Sequence, residues 1–281
     1  MIFLLKAWSL LPNIKGKLWI GNKLYLMTGG KQAETKIRNF WMNLNLEDRI
    51  QRRIFLKKSH EPETEFIFEK FFKEAKCFFD IGGNIGYFSL LGSAINKDLQ
   101  TYAFEPLPSN ISTFKKNIDL NKGFNERIHI VEKCLSDSSG EVTFFVPPDG
   151  ECGWGTMDTE ESNEETTSSW PKITREALTF DEFIEKNPSI KPDLIKIDVE
   201  GSEINVLKGA LNYLENNKVL AFCIELNEET LKAKNYSSQK VIDLMSSIGY
   251  VAHYIADNSL IKTDIPVSLN KDLNYFFIPS K

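Results

Sequence analysis

From residue 76 onwards, short apolar runs alternate with longer stretches in which apolar residues recur at helical spacing. Runs of this length, bounded by turn residues, predict buried strands. The predicted strands are 77–81, 101–104, 128–131, 141–146, 193–197, 219–224, 250–255 and 275–278. Because helical stretches separate most of them, the pattern predicts an α/β domain whose mostly parallel sheet is covered on both faces. The last two runs lie close together, which predicts an antiparallel pair at one edge.

Residues 1–59 lack this rhythm and are predicted to form an N-terminal extension to a domain over residues 60–281. Residues 14–27 alternate loosely and contain Gly16 and Gly21, which predicts a short hairpin. Residues 38–58 carry apolar positions at helical intervals among many charges, which predicts one or two amphipathic helices.

One long stretch, residues 147–175, is predicted to be a loop insertion. It contains two adjacent prolines, three glycines and an acidic polar run. Such a stretch is either a solvated loop or a lid, since long structureless insertions in compact domains are often functional. Trp154, which has a glycine on either side, is the residue we expect to stack on a sugar ring.

The amino-acid composition limits the kinds of molecule and the cellular setting that we expect for this chain. The 281 residues carry a formal net charge of −5, which argues against nucleic acid because a phosphate-binding surface is normally basic. The four cysteines are scattered, with no close pair, which predicts reduced thiols in a cytoplasmic protein. Residues 1–11 are apolar but too few to span a bilayer, so no transmembrane segment is predicted. This start is compatible with docking on the domain, with a homodimer contact, or with attachment to a membrane surface.

The chemistry begins at residues 80–86, which read D-I-G-G-N-I-G between a strand and a helix. Glycines here let the backbone turn sharply at the sheet edge where ligands bind. A dinucleotide fingerprint would need a further glycine where Ser89 stands. Asp80 would also repel a pyrophosphate. A nicotinamide-dependent oxidoreductase is therefore rejected.

Glu105, followed by Pro106, ends the second strand and is placed to accept hydrogen bonds from both hydroxyl groups of a ribose. Asp80 suits a cationic or amino-acid-bearing ligand. Together the two carboxylates describe a nucleoside without phosphates, and the cofactor this indicates is S-adenosylmethionine.

An acidic cluster follows the strand at 193–197. Asp198 and Glu200 are expected to point into one crevice, Glu203 to lie on the next helical turn, and Glu225 to end the neighbouring strand. Methyl transfer requires alignment of the acceptor and removal of one proton. Asp198 or Glu200 is the predicted general base, with Glu225 orienting it.

The same carboxylates leave a second interpretation open, in which Asp198, Glu200 and Glu225 bind Mg²⁺ or Mn²⁺ to polarise the acceptor hydroxyl. Lys196 is predicted to lie on the same face as Asp198 and to pair with a carboxylate or hold the acceptor. Glu203 either contacts the substrate or stabilises the start of its helix.

With these residues in view, the chain resembles the FkbM family of S-adenosylmethionine-dependent methyltransferases over residues 60–279. The matching segments, in order, are HEP at 60–62, DIGGNIGY at 80–87, AFEP at 103–106, LSDSSG at 135–140, LTFD at 178–181, IKIDVEGSE at 195–203, VLKGA at 206–210 and CIE at 223–225. Gly83 and Phe180 depart from the residues usual in the family.

The resemblance implies a class I, Rossmann-like fold with a seven-stranded, mostly parallel sheet and an antiparallel edge strand. It implies O-methylation of a sugar or polyketide-like acceptor. Contacts to the cofactor are expected from the following residues: Glu61, Asp80, Gly82, Asn84, Gly86, Glu105, Pro106, Ser136, Asp137 and Asp198. His60 is expected to reach the substrate. The alternatives are an amine acceptor and a non-catalytic protein that only binds the cofactor.

Overall fold

The computed structural model describes residues 2–28, 30–145, 156–157, 171–267 and 273–280. The helices are α1 (Ile2–Ser9), α2 (Lys17–Thr28), α3 (Arg49–Lys57), α4 (Pro62–Phe72), α5 (Tyr87–Ile95), α6 (Pro108–Asp119), α7 (Phe180–Lys186), α8 (Glu203–Lys208), α9 (Leu211–Asn216), α10 (Glu228–Lys232) and α11 (Ser238–Ser247). The strands are β1 (Gln32–Ile37), β2 (Phe40–Asn45), β3 (Cys77–Ile81), β4 (Gln100–Phe104), β5 (Ile128–Val131), β6 (Cys134–Leu135), β7 (Gly140–Phe145), β8 (Thr156–Met157), β9 (Lys172–Leu178), β10 (Leu194–Ile197), β11 (Ala221–Leu226), β12 (Tyr250–Ala256), β13 (Ser259–Lys262) and β14 (Leu273–Pro279).

The main sheet has the strand order β13-β12-β14-β11-β10-β3-β4-β5. Strands β11, β10, β3, β4 and β5 run parallel, while β14, β12 and β13 pair antiparallel. Every residue of β3 and β10 is buried, because helices and neighbouring segments cover both faces of the parallel part. The predicted α/β class is confirmed.

The antiparallel end of the sheet differs from the prediction in two details. The sheet has eight strands and not seven, because the short strand β13 extends it. The two last predicted strands, β12 and β14, do pair antiparallel, but β14 lies inside the sheet between β11 and β12. Strand β13 pairs only with β12 and is the edge strand on this side.

A second, smaller sheet has the order β6-β9-β7-β8 and lies beside the main one. The predicted strand at 141–146 belongs here as β7. Strand β9 begins at Lys172, so the last residues of the predicted loop 147–175 form a strand. Its outer positions are polar and only its last two residues are buried, which concealed the strand in the sequence. Most of the rest of that stretch, with Trp154 and Cys152, lies outside the described residues.

In the N-terminal part, the predicted hairpin at 14–27 is wrong. Helix α2 lies there, and the hairpin follows it as β1 and β2, of which only β2 lies inside the segment 38–58 predicted to be helical. The two buried residues of α2 are Lys17 and Gly21, while Trp19, Leu26 and Met27 are exposed and its other large apolar residues are half-buried. Apolar residues therefore occur on both the packed and the exposed sides of α2, and its sequence shows no helical period.

The apolar core is continuous across residue 59. Ile54 and Phe55 of α3 are buried in the same cluster as Phe68 of α4, Phe78 of β3 and Phe88 of α5. A second cluster covers the opposite face of the sheet. The division of the chain at residue 59 stays a prediction. No helix in the described part of the chain has both the length and the hydrophobicity to cross a bilayer.

Candidate active site

A cavity of about 210 Å³ opens at the carboxyl ends of strands β3, β4, β10 and β11, where parallel α/β sheets bind ligands. Nine of the predicted site residues line it: His60, Glu61, Gly82, Asn84, Glu105, Pro106, Asp198, Glu200 and Glu225. A smaller cavity beside it is lined by Asp80 and Lys196, together with Asp48 and Gln51 from the N-terminal part. The topology thus brings together strand ends that are far apart in sequence.

The glycines of the turn are required by the packing of the protein itself. Gly82 has φ +82°, and a Cβ atom there would lie 1.9 Å from the carbonyl oxygen of Asp198. Gly86 has φ +89°, and a Cβ atom there would lie 2.1 Å from the Phe114 ring. Gly82 therefore lets the ends of β3 and β10 approach each other. Gly86 lines neither cavity, so its predicted cofactor contact is not seen.

Glu105 is almost completely buried at the cavity wall. Its Oε2 atom accepts a hydrogen bond from the Asn84 amide at 2.8 Å. Its Oε1 atom accepts from the Leu107 amide at 2.9 Å and from Asn110 Nδ2 at 3.2 Å. Burial raises the pKa of Glu105 to about 7, although these hydrogen bonds oppose the shift. Each carboxylate oxygen accepts more than one hydrogen bond, so Oε2 retains capacity for a ligand hydroxyl.

Lys196 is a buried cation surrounded by carboxylates. Its Nζ atom lies 2.6 Å from Asp198 Oδ2 and 5.1 Å from the centre of the Phe88 ring. Burial opposes the charge, but Asp198, Glu61 and neighbouring carboxylates raise the pKa of Lys196 overall. On the adjacent strand, Asp80 accepts a hydrogen bond from Ser89 Oγ at 2.5 Å, and burial raises its pKa.

Asp198 and Glu225 form a hydrogen-bonded pair of carboxyl groups. Burial works against ionisation of Asp198, but the charge of Lys196 and the hydrogen bonds from Glu225 and Lys196 lower the pKa of Asp198. The charge of Asp198, together with burial, raises the pKa of Glu225 well above its ordinary value. Asp198 is therefore the carboxyl group of this pair that ionises more readily, and Glu225 is the one that retains a proton more readily.

The loop that carries His60 and Glu61 is held by Glu65, a residue that sequence analysis missed. Glu65 is fully buried, and its Oε1 atom accepts from Ser59 Oγ at 2.8 Å, from the His60 amide at 2.7 Å, and from Tyr87 Oη at 2.8 Å. Acidic residues are common in the first turn of any helix, because they favour the positive end of the helix dipole. No local sequence pattern therefore distinguishes Glu65 from such ordinary residues.

Comparison with known proteins decides the family. The sequence profile of the methyltransferase FkbM domain matches residues 80–252, more than half of the chain. The chain belongs to this family. The resemblance drawn from the motifs is confirmed.

The chain is also similar to individual proteins. The chain is 31% identical over 144 residues to the hexuronic acid methyltransferase AglP of Haloferax volcanii, a match that covers 51% of this chain and 54% of that protein. It is 26% identical over 177 residues to Methyltransferase 1 of Beauveria bassiana, covering 56% and 71%. The solved FkbM methyltransferase of Methylobacillus flagellatus aligns with a TM-score of 0.46 and 18% identity, covering 72% of this chain and 43% of that one. The chain therefore matches about half the length of the first of these relatives.

Three further predicted FkbM site residues do not line either cavity. Glu203 is buried, and its Oε1 atom accepts from the amides of Gly201 at 3.0 Å and Val199 at 3.3 Å. It holds the turn after β10, and its contact with a substrate stays a prediction. Ser136 and Asp137 follow β6 outside the cavity walls. The larger cavity is also lined by residues that the sequence analysis did not assign to the site: Ile50, Leu107, Asn110, Leu135, Phe144 and Asn227.

The donor set fits S-adenosylmethionine. Carboxylates surround the methionine side of the site, which suits a ligand that carries positive charge. Glu105 faces a wall that also contains Phe104, Leu135 and Phe144, and this combination suits a nucleoside. Among the described residues, no group of three or more His, Cys, Asp and Glu side chains is arranged to hold a metal ion. Binding of Mg²⁺ or Mn²⁺ by Asp198, Glu200 and Glu225 stays a prediction.

Proposed function

We propose that this protein is an O-methyltransferase that uses S-adenosylmethionine to methylate a hydroxyl group of a sugar or glycan. The observation that carries the proposal is that one cavity is bordered both by Glu105 and by the Asp198–Glu225 pair. A nucleoside-binding carboxylate and a proton acceptor thus border one space. The printed name of the Haloferax volcanii relative, a hexuronic acid methyltransferase, supports a sugar acceptor.

Cofactor binding is assigned to the strand ends. Glu105 accepts hydrogen bonds from the ribose hydroxyls, and the apolar side chains of Leu135 and Phe144 contact the base. Asp80, buried beside Lys196, contributes negative charge next to the methionine portion. S-adenosylmethionine supplies an electrophilic methyl group on a sulfonium.

Asp198 is assigned the proton-accepting role. With the methyl group supplied by bound S-adenosylmethionine, the ionised Asp198 carboxylate would accept the proton of the acceptor hydroxyl. Glu225 keeps its own proton and orients Asp198 through their hydrogen bond, while Lys196 holds it from the other side at 2.6 Å. The low pKa of Asp198 makes it a weak base. Alignment therefore contributes most of the rate.

His60 is assigned to the acceptor side of the cavity. Its Nε2 atom lies 3.3 Å from Glu61 Oε1, and its Nδ1 atom is buried without a hydrogen-bond partner among the described residues. Because Glu61 in turn accepts from Asn274 Nδ2 at 2.7 Å, the imidazole is held in place. An orphaned ring nitrogen beside a cavity suits a hydrogen bond to a second hydroxyl of a sugar.

The chemistry of the cysteines supports a proposal about where in the cell the protein is located. Cys77, Cys134 and Cys223 are free and buried, and burial raises the pKa of each thiol. Unpaired thiols of this kind suit a reducing compartment, so we place the protein in the cytoplasm.

The first test is titration calorimetry with S-adenosylmethionine and, separately, with NAD. Binding of the first and no response to the second is expected. If the folded protein binds no S-adenosyl compound, the assignment of Asp80 and Glu105 to the cofactor is contradicted. That result would also count against both an S-adenosylmethionine-dependent enzyme and a cofactor-binding scaffold.

The second test is methyl transfer to hexuronic acids and their glycosides, detected by the mass of the product, with and without a chelator. Asp198→Asn should lower turnover by about 10²–10⁴-fold, the usual contribution of a general base. The matched control is Asp119→Asn, which removes an exposed carboxylate at the end of α6 and should leave turnover unchanged. Full activity of Asp198→Asn would refute the base, sensitivity to the chelator would favour the metal form, and an N-methylated product would identify an amine acceptor.

A further inference from the structure

The first two helices expose an apolar surface that nothing in the described structure covers. The relative exposure of Phe3 is 76%, of Leu10 79%, of Trp19 62% and of Leu26 80%. Leu4, Leu11, Ile14 and Met27 are exposed as well. Isolated exposed apolar residues are ordinary, but eight within 25 consecutive residues form a surface that calls for a partner.

The packing of α1 and α2 against the rest of the protein leaves this surface facing solvent. Helices α1 and α2 contact each other and both contact α3. Trp8 Nε1 donates to the carbonyl of Lys17 at 3.0 Å, and Gly21 lies so close to Leu56 that a Cβ atom would be 2.6 Å from Leu56 Cδ1. The face of the helix pair that meets the body is thus built partly from Lys17 and Gly21. Leu18, Leu24 and Tyr25 also pack against the core, whereas Phe3, Leu4, Trp19, Leu26 and Met27 remain on the exposed side of the two helices.

The charge of this surface indicates the kind of partner that it binds. Residues 1–28 contain four lysines and no acidic residue, although the whole chain has 39 Asp and Glu against 34 Lys and Arg. Lys6, Lys15 and Lys23 are exposed, and Lys23 Nζ lies 3.9 Å from the centre of the Trp19 ring. Lysine stems lie along apolar surface while their ammonium groups reach anionic headgroups, and tryptophan favours the interface between water and lipid.

We propose that helices α1 and α2 dock on the surface of an anionic membrane, with the apolar residues in the interface and the three lysines at the headgroups. A helix with an apolar face and cations but no acidic residues binds lipid through both effects together. The proposal is independent of the methyl-transfer reaction, because its evidence and its readout concern lipid binding alone.

The test is flotation of the purified full chain with vesicles of phosphatidylcholine mixed with phosphatidylglycerol, compared with vesicles of phosphatidylcholine alone. Binding to the anionic vesicles should be strong and should weaken with added salt. Each basic residue near an anionic surface contributes a factor of about five, so Lys6→Gln, Lys15→Gln and Lys23→Gln together should weaken binding on the order of 100-fold. Replacing Phe3, Leu10 and Leu26 by serine should abolish it.

The control removes three exposed lysines elsewhere, Lys73→Gln, Lys122→Gln and Lys191→Gln, and should bind like the unchanged protein. Circular dichroism establishes that every variant is folded. The proposal is overturned if the unchanged chain binds neither vesicle, if both lysine variants bind equally, or if the serine variant keeps its binding. It is also overturned if ultracentrifugation finds a dimer that the serine variant dissolves while vesicles are not bound.

Discussion

Replacing Lys196 by methionine is the sharpest test of the electrostatics at the site. Methionine has similar length, so the change removes a buried charge with little change in packed volume. Lys196 is 3% exposed and its Nζ atom lies 2.6 Å from Asp198 Oδ2, with Asp80 and Glu225 also close enough to influence it. Without the lysine, these carboxyl groups are buried with no compensating cation.

The expected loss of stability depends on pH. Removing one partner of a buried ion pair costs about 3–5 kcal/mol. In the unchanged protein the pKa of Asp198 is lowered, so its contribution is present above the unfolded pKa of about 3.9 and is lost as the pH falls through the lower folded value. In the variant, the charge and the hydrogen bond of Lys196 no longer lower the pKa of Asp198, so the opposing effect of burial raises this pKa relative to the unchanged protein. The penalty is then greatest at neutral and alkaline pH and shrinks as the pH falls and the carboxyl groups take up protons.

The measurement is urea unfolding at about pH 8 and about pH 5, comparing the free energies of unfolding of variant and unchanged protein. Lys115→Met is the matched control, because Lys115 Nζ lies 2.5 Å from Glu132 Oε1 but both side chains are more than half exposed. That exposed pair should contribute less than about 1 kcal/mol at either pH. A Lys196→Met penalty that is independent of pH, or as small as that of the control, refutes the reasoning.

Three further predictions concern single residues. Glu105→Gln should weaken binding of S-adenosylmethionine by about 10- to 100-fold, because a hydrogen bond to a charged group contributes about 1.5–3 kcal/mol. Measured by calorimetry, the affinity of the unchanged protein for S-adenosylmethionine should rise as the pH increases through about 7 and Glu105 ionises. Equal affinities of the variant and the unchanged protein at high pH would contradict this. Gly82→Ala should lower the free energy of unfolding by at least about 2 kcal/mol, because the added Cβ atom would clash with the carbonyl of Asp198 and the φ of residue 82 is positive. An unchanged melting temperature would contradict this prediction. Glu65 forms an ion pair with Arg38, so Glu65→Ala should lower the free energy of unfolding by about 3–5 kcal/mol and raise KM for the acceptor. Glu69→Ala, which removes the partly exposed second partner of Arg38, should change both quantities little.

The central sheet could be predicted because its parallel strands are buried on both faces. In β3 and β10 nearly every side chain is apolar, and no solvent-facing position interrupts the run. Strand β9 escaped prediction for the opposite reason, since its outer positions are polar and its inner ones are few. The helix α2 was misassigned because its apolar residues lie on both the packed and the exposed sides, so the sequence has no helical period.

The carboxylates of the site could also be predicted, because the carboxyl ends of parallel strands meet at one edge of a sheet. Asp80, Glu105, Asp198 and Glu225 each stand at the carboxyl end of a different strand, and all four line the two cavities. Their protonation could not be predicted. It depends on distances of a few ångströms, such as that between Lys196 and Asp198, which no local pattern encodes.

The part played by the N-terminal residues was also hidden from the sequence, and it leads to a last prediction about deletions. Eight large apolar side chains between residues 30 and 59 are almost fully buried: Ile37, Phe40, Met42, Leu44, Leu46, Ile54, Phe55 and Leu56. At about 1.5–3 kcal/mol each, their burial amounts to more than about 10 kcal/mol, comparable with the whole stability of a typical domain.

A chain of residues 60–281 should therefore fail to fold, even though all the family motifs lie within it. A chain of residues 30–281 keeps the hairpin and α3, and it loses only Leu5 among the apolar side chains that are buried in this core. It should fold and bind S-adenosylmethionine but should not float with anionic vesicles. Circular dichroism, calorimetry and flotation on the two truncated chains measure these outcomes. A folded 60–281 chain that binds the cofactor would show that the predicted boundary at residue 59 is a true domain boundary, and that the shared core contributes little to the site.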